Sequence, residues 1–288
     1  MGLLSRFLKG LPAHREAEKR RAILEEMRGD LRYLRAMADD RAMRADPRYA
    51  EPRRLLRHEH RVNSQSGEDG IVREILRRIG TTNRVFAEVG CGDGAMNNTA
   101  FLLSQGWTGF WIDADDTFLR TISGRADLPA GCVKTLVSFV DAANVAPSFA
   151  KLGVPKEFDV LSLDVDQNTY YVWEALAGFK PRVVVVEYNA AIPADVEWKV
   201  NYDAARAWDR SRNFGAGLKA LENLGRRLGY GLVGCTFNGA NAFFVRSDLT
   251  GAHFAEPFTS ENHYEPPRYA YGHPRGHGRT ILDRPTSA

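Results

Sequence analysis

Cysteine is scarce. Three thiols in 288 residues, Cys91, Cys132 and Cys235, stand at no metal-ligand spacing, which argues against a disulfide framework and a zinc site. No apolar run approaches the roughly 18 residues that a membrane-spanning helix needs. The apolar core of Met1–Gly10 is too short for a secretory signal. A bacterial-type cytoplasmic location is the expectation, with peripheral contact at a membrane surface through Leu3, Leu4, Phe7 and Leu8 as a weaker option. Internal repeats are absent. An excess of one charge is missing too, since 39 Lys and Arg stand against 36 Asp and Glu. That balance hides an asymmetry: residues 1–62 hold 16 basic and 10 acidic side chains, a net +6, which leaves −3 for the rest. The body is therefore not the basic surface expected of a nucleic-acid binder.

What the chain does have is Glu88-Val-Gly-Cys-Gly-Asp-Gly94, directly after the apolar run Val85-Phe86-Ala87 and before the helix-like Thr99–Leu103. A buried strand that turns this tightly into a helix needs residues tolerant of positive φ and a backbone that a ligand can approach. Asp113 ends the next apolar run, 19 residues past Gly94. That is close to the ~20-residue offset at which a carboxylate meets a nucleoside ribose in Rossmann-like sheets. A dinucleotide site would carry G-x-G-x-x-G, with its third glycine one place later. The E-x-G-x-G-x-G pattern here is instead similar to the first motif of S-adenosylmethionine-dependent methyltransferases. Gly90, Gly92 and Gly94 would supply the backbone, Glu88 would suit the cationic methionine end, and Asp113 the ribose diol. A nicotinamide or nucleotide-sugar site is the alternative, and a glycine turn that binds nothing is the bland one. Cys91 reads as a small filler within the loop.

At 44% hydrophobic, the chain can bury one α/β core plus an appendage. Residues 1–61 form a basic N-terminal extension, helical over 12–45, where Ile23, Met27, Leu31, Leu34 and Ala38 recur at steps of 4, 4, 3 and 4. That stripe predicts either packing on its own domain or a homo-oligomer contact. From residue 62 to 250, strands and helices alternate, which predicts a mainly parallel sheet covered on both faces. The strands fall at 84–89, 108–113, 134–140, 158–164 and 182–187, with helices at 70–79, 170–177 and 215–228. Tyr230–Cys235 and Asn241–Arg246 flank a turn and form a hairpin. Fold class α/β follows: a Rossmann-like class I methyltransferase topology, with a mainly parallel seven-stranded sheet, a C-terminal antiparallel hairpin and an N-terminal helical extension. Residues 251–288, rich in Pro, Gly, His and Arg, read as an irregular tail; His273 and His277 there sit on no helix face.

Several blocks carry a family likeness. Ser64–Gly70, the glycine motif, Asn97-Asn-Thr99, Gly106–Gly109, Leu161–Asn168, Pro181–Asn189, Trp198–Asp203 and Asn241–Arg246 together resemble the FkbM-like methyltransferases, in a poorly characterised bacterial branch, over about residues 62–250. The resemblance implies S-adenosylmethionine as cofactor and O-methylation of a hydroxyl on a sugar, glycolipid or related metabolite. It also implies that Gln65 closes over the cofactor. Gln167 departs from the family, standing where many members have glycine in a D-x-D-G-N turn.

Asn98 and Thr99 could cap the following helix or bind the methionine carboxylate. Asp141 could meet the adenine amino group or only cap a helix. Asp164, Asp166 and Asn168 follow the fourth strand, and Glu187 and Asn189 end the fifth, at the sheet edge where open α/β folds bind ligands. Asp166 or Glu187, with Asn189 beside them, could take the proton of an attacking hydroxyl. Alternatively Asp164, Asp166 and Glu187 could hold Mg2+. Trp198, Lys199, Tyr202, Trp208, Arg210 and Arg212, in the long segment 190–215, suit a sugar ring and an anionic group as an acceptor lid. Two other functions stay open. N-methylation of a small molecule or nucleic acid is weakened by the lack of an Asp/Asn-Pro-Pro-aromatic turn at Asp164. A scaffold or sensor that binds the cofactor without catalysis is the second.

Overall fold

The computed structural model describes residues 12–128 and 130–268. Leu3, Leu4, Phe7, Leu8, His273 and His277 lie outside them. Helix α1 (Pro12–Ala45) leads through two short 3-10 turns to α2 (Glu68–Ile79). There follow β1 (Val85–Val89), α3 (Ala100–Ser104), β2 (Thr108–Asp113), α4 (Asp116–Ser123), β3 (Val133–Val137) and α5 (Val145–Leu152). The chain continues through β4 (Glu157–Leu163), α6 (Thr169–Ala175), β5 (Lys180–Glu187), α7 (Leu218–Leu228), β6 (Tyr230–Cys235) and β7 (Asn241–Arg246), then α8 (Ser247–Thr250) and α9 (Ser260–His263). Three strands match their expected ends; β3 stops at Val137, three residues short of the expectation, because the chain turns away there to line the site.

One seven-stranded sheet has the order β3-β2-β1-β4-β5-β7-β6. β7 inserts between β5 and β6 and runs antiparallel to both, while the other neighbouring pairs are parallel. This is the expected Rossmann-like α/β sheet, mainly parallel with an antiparallel C-terminal hairpin. Alternation along the strands feeds two cores. Ala87, Val89, Ile112, Leu161 and Val184 pack with α5, α6 and α7 on one face. Phe86, Trp111, Val160 and Val185 pack with α2 and α3 on the other. β1 and β4 start on opposite sides of the point where the strand order reverses, so the loops after them diverge and leave a crevice at the carboxyl edge.

Packing extends past 62–250. Tyr49 and Leu56 cluster with Phe237 and with Met43 of α1, Phe254 and Ala255 are fully buried, and the Tyr49 hydroxyl donates to the Glu265 carboxylate at 2.9 Å. The segments just before and after the sheet thus close one edge of it. No described helix is long and apolar enough to cross a membrane.

Candidate active site

The loop after β1 is held from within. Glu88 is buried, and its carboxylate accepts from the Asn98 amide (2.9 Å), the Asn97 side-chain amide (2.5 Å), the Thr99 amide (3.3 Å) and hydroxyl (2.5 Å), and the Ser162 hydroxyl (3.1 Å). Ser162 and Trp111 are its register partners on the flanking strands β4 and β2, and the Trp111 indole N–H donates to the Thr99 hydroxyl at 2.8 Å. Glu88 therefore ties three strands to the loop, and it also lines, with Asn97 and Asn98, a cavity of about 300 Å³ beside that loop. Burial raises its pKa, and these donors oppose the shift. Asn98 and Thr99 serve the same clamp: the Asn98 side chain donates to Ser162 at 3.1 Å.

The glycines do what the turn requires. Gly90 has φ +83°, and a Cβ there would sit 1.7 Å from the Asp164 carbonyl oxygen, so β1 and β4 can approach this closely only at glycine. Gly94, at φ +71°, lies over the Trp111 ring, 2.5 Å from where its Cβ would be. Gly92 donates its amide to one Asp113 carboxylate oxygen at 2.8 Å, and Asp115 donates to the other at 2.9 Å. Each oxygen keeps a lone pair for a further donor.

Two joined cavities flank this loop, one of about 450 Å³ and one of about 300 Å³, sharing Gln65, Gly90, Gly92, Phe118 and Asp164. Their sizes fall in the range of small-molecule sites. Gln65 is exposed at the junction, whereas neighbouring Ser64 is buried, its amide and hydroxyl both donating to Asp69. In the larger cavity Asp113 faces Phe118 and Phe139, aromatic rings left 41% and 46% exposed. Sequence reasoning missed both, because an isolated aromatic on an amphipathic helix or after a short strand carries no motif. Asp141 is not among the lining residues. Its carboxylate accepts from the Ala143 and Asn144 amides at 2.8 Å each and caps the turn into α5; Ser138, Phe139 and Val140 line the cavity instead.

The opposite wall is acidic. Carboxylate oxygens of Asp164, Asp166 and Glu187 all lie within 4.8 Å of one another. Asp166 adopts φ +50°, an unfavourable conformation for a non-glycine residue. Gln167 beside it is buried, and neither its amide nitrogen nor its oxygen has a partner. Burial, then the charge of Asp166, pushes the Asp164 carboxyl up to about 7. Burial, then the charge of Asp164, holds Glu187 well above the carboxylate range, and burial raises Asp166 as well. Glu187 Oε2 meets no protein donor; a hydrogen bond between the two carboxyls raises Glu187 further and lowers Asp164, which makes Glu187 the donor of the pair. Asn168, which lines the same cavity, donates its amide to the Asp203 carbonyl at 2.8 Å, and its own oxygen has no partner.

Asn189 and three of the expected lid residues are placed elsewhere. Asn189 is buried and donates to the Arg212 and Phe214 carbonyls at 2.8 and 3.0 Å, fixing the loop after β5 without reaching the cavity. Lys199 lies over the Tyr170 ring at 3.8 Å, Tyr202 packs on Tyr171 at 5.0 Å, and the Trp198 carbonyl accepts from Gly217 at 2.8 Å. None of these three lines the cavity; Arg206, Ala207 and Trp208 of the same segment do. Arg206 pairs with Asp209 at 3.0 Å, and Trp208 is 44% exposed.

The donor set fits S-adenosylmethionine. Asp113 has acceptors free for a ribose diol, Phe118 and Phe139 offer faces for an adenine, and the Gly90–Gly92 backbone separates the two chambers.

No family model matches the chain, and no curated protein matches it. Among solved structures, the CurJ carbon methyltransferase aligns at TM-score 0.40 and 10% identity over 62% of this chain, which spans about half (52%) of that one. The plantazolicin methyltransferase BpumL, in complex with a triazolic desmethylPZN analog and SAH, aligns at TM-score 0.41 and 11% identity, covering 62% of this chain and 83% of its own. An S-adenosylmethionine-dependent methyltransferase from Clostridium acetobutylicum gives TM-score 0.37 and 11% identity over 60% of this chain and 88% of its own. Likenesses this distant carry neither an activity nor an acceptor to this chain.

Proposed function

We propose that this chain binds S-adenosylmethionine and transfers its methyl group to a hydroxyl, on a sugar, glycolipid or related metabolite. The observation that carries the reading is one cavity with two unlike walls: an aromatic one around Asp113 and a wall of clustered acids around Asp166. When bound, S-adenosylmethionine supplies an electrophilic methyl group on a sulfonium. The chain's own residues do the rest. Asp113 and the glycine loop fix the nucleoside; Gln65, at the junction of the chambers, is placed to cover it. Asp166, raised by burial and open to the cavity, accepts the hydroxyl proton as the oxygen is alkylated. The Asp164–Glu187 pair behind it holds a proton of its own, which suits it to orienting an acceptor and makes it a poorer base than Asp166. The exposed Trp208 ring offers a stacking face for a sugar; the family resemblance and this ring are what favour a glycan.

Isothermal titration and single-turnover transfer to fractionated glycans and metabolites test this. Asp113→Ala should weaken S-adenosylmethionine binding about 100-fold, as two hydrogen bonds to an ionised group are lost. Asp166→Asn should leave binding within about threefold while transfer falls at least about 100-fold. Failure of the wild type to bind the cofactor, or a preference for NAD, would overturn the reading.

A second reading of the acidic wall draws on the same convergence of three carboxylates. Oxygen donors in that number suit a hard divalent cation, which would keep Asp164 and Glu187 ionised and acidify a bound hydroxyl. Transfer that is unchanged by EDTA, with no Mn2+ uptake by titration, would leave the shared proton as the account.

A further inference from the structure

Helix α1 runs 34 residues, roughly 50 Å at 1.5 Å per residue, and meets the body near its last turn, where Met43 is buried with Tyr49, Leu56 and Phe237. From Glu16 to Ala38 the described residues are exposed, apart from the half-buried Gly29. Leu24, Met27, Leu31 and Leu34 are 64, 55, 66 and 60% exposed. Isolated helices are marginal in water, and most helical stability comes from burying an apolar face. Such a face left bare over three turns is incomplete without a partner.

Spacing and charge say which partner. Leu24, Met27, Leu31, Leu34 and Ala38 follow alternating steps of three and four, the a and d positions of a heptad, with Ala17 one heptad before Leu24. The flanking g positions are then Glu16, Ile23, Asp30 and Met37; the e positions are Arg21, Arg28, Arg35 and Ala42. In a parallel pair each g residue faces the e residue five places later on the other helix. That sets Glu16 against Arg21 and Asp30 against Arg35, each twice by symmetry, with no like-charge contact between g and e positions. Arg20, at the d position before Leu24, faces its counterpart in the other copy and is paired with Glu16 of its own helix at 3.3 Å. An antiparallel pair would instead set e against e and bring three arginines of each copy together. Arg21 and Arg35 also pair within their own helix, with Glu25 at 3.2 Å and Asp39 at 3.8 Å; these partners sit four residues on and away from the seam. We infer that α1 is a dimerisation helix, forming a parallel two-stranded coiled coil with α1 of a second copy of this chain. The bodies then hang from the same end of the coil, below Met43.

Sedimentation equilibrium of the full-length protein across a concentration series tests this, with far-UV circular dichroism as a check on folding. A monomer–dimer equilibrium is expected. Leu31→Glu should leave only monomer while S-adenosylmethionine binding stays as in the wild type. Arg35→Glu should weaken the dimer roughly tenfold by turning two attractive contacts into repulsions, and Asp30→Arg added to it should restore the affinity. A wild type that stays monomeric, alone or seated on anionic vesicles, overturns the proposal. So does a dimer indifferent to Leu31→Glu. A dimer tightened by Arg35→Glu would mean antiparallel helices and would overturn the pairing.

Discussion

Glu88 and the trio Asp164, Asp166 and Glu187 are the same functional group at the ends of neighbouring strands, and the protein treats them oppositely. Glu88 is surrounded by five donors from its own loop and from β4. The trio has no such shell: Glu187 Oε2 and the Asn168 oxygen lack partners, Gln167 satisfies neither end of its amide, and the acids raise one another's pKa. Buried polar groups are normally satisfied, and each exception is informative. One wall of the site is finished by folding, and the other is left for what binds. A helix-dipole or core role for all four acids would have given them similar surroundings.

The finished wall breaks first. Gly90→Ala places a Cβ against the Asp164 carbonyl at a positive φ. It should destabilise the fold by about 3 kcal/mol or more and abolish cofactor binding, as read by urea denaturation and titration. A fold left within about 1 kcal/mol would show that the β1–β4 junction is slack. The unfinished wall should respond in the opposite sense. The Asp164 carboxyl titrates near 7 in the folded chain and near 3.9 unfolded. Between those values the folded state binds the extra proton, so stability falls as pH rises through the window and the full penalty stands above about pH 7. Asp164→Asn should therefore match the wild type near pH 4 and become progressively more stable than it up to pH 7, in denaturation curves taken at each pH. A resident divalent cation would reverse that sign, so the comparison also separates the two accounts of the trio. The smallest effect belongs to Asp141→Ala, which removes a cap: about 1 kcal/mol of stability, with S-adenosylmethionine affinity unmoved.

The sheet was legible because β1, β4 and β5 are apolar runs ended by acids, and the glycine spacing marks the turn. Position at the strand ends also located the trio. What the sequence could not display was orientation. Glu88 alternates with Ala87 and Val89 and points inward to Thr99 and Ser162, so the residue that looked most like a cofactor contact is also the brace of its loop. Asp141 and Asn189 are short polar residues just past strands, where capping and ligand contact share one signature. Lys199 looked like a grip for an anion and instead spends its charge on the Tyr170 ring. Phe118 and Phe139 lacked any pattern at all, and Trp208 was one of several aromatic and basic residues in the segment 190–215; only folding brings these three to one cavity.

The bracing of the loop by Glu88 bears on how fast the site fills. A segment that must order itself around its ligand slows capture and protects its amides only afterwards. Here the amides of Asn98 and Thr99 are already bonded to the strand-end carboxylate, so their hydrogen exchange should be slow in the free protein and change little when a ligand is added. On the proposed function, discrimination between S-adenosylmethionine and its demethylated product should then fall to the acidic side, which favours a positive sulfonium over a neutral thioether.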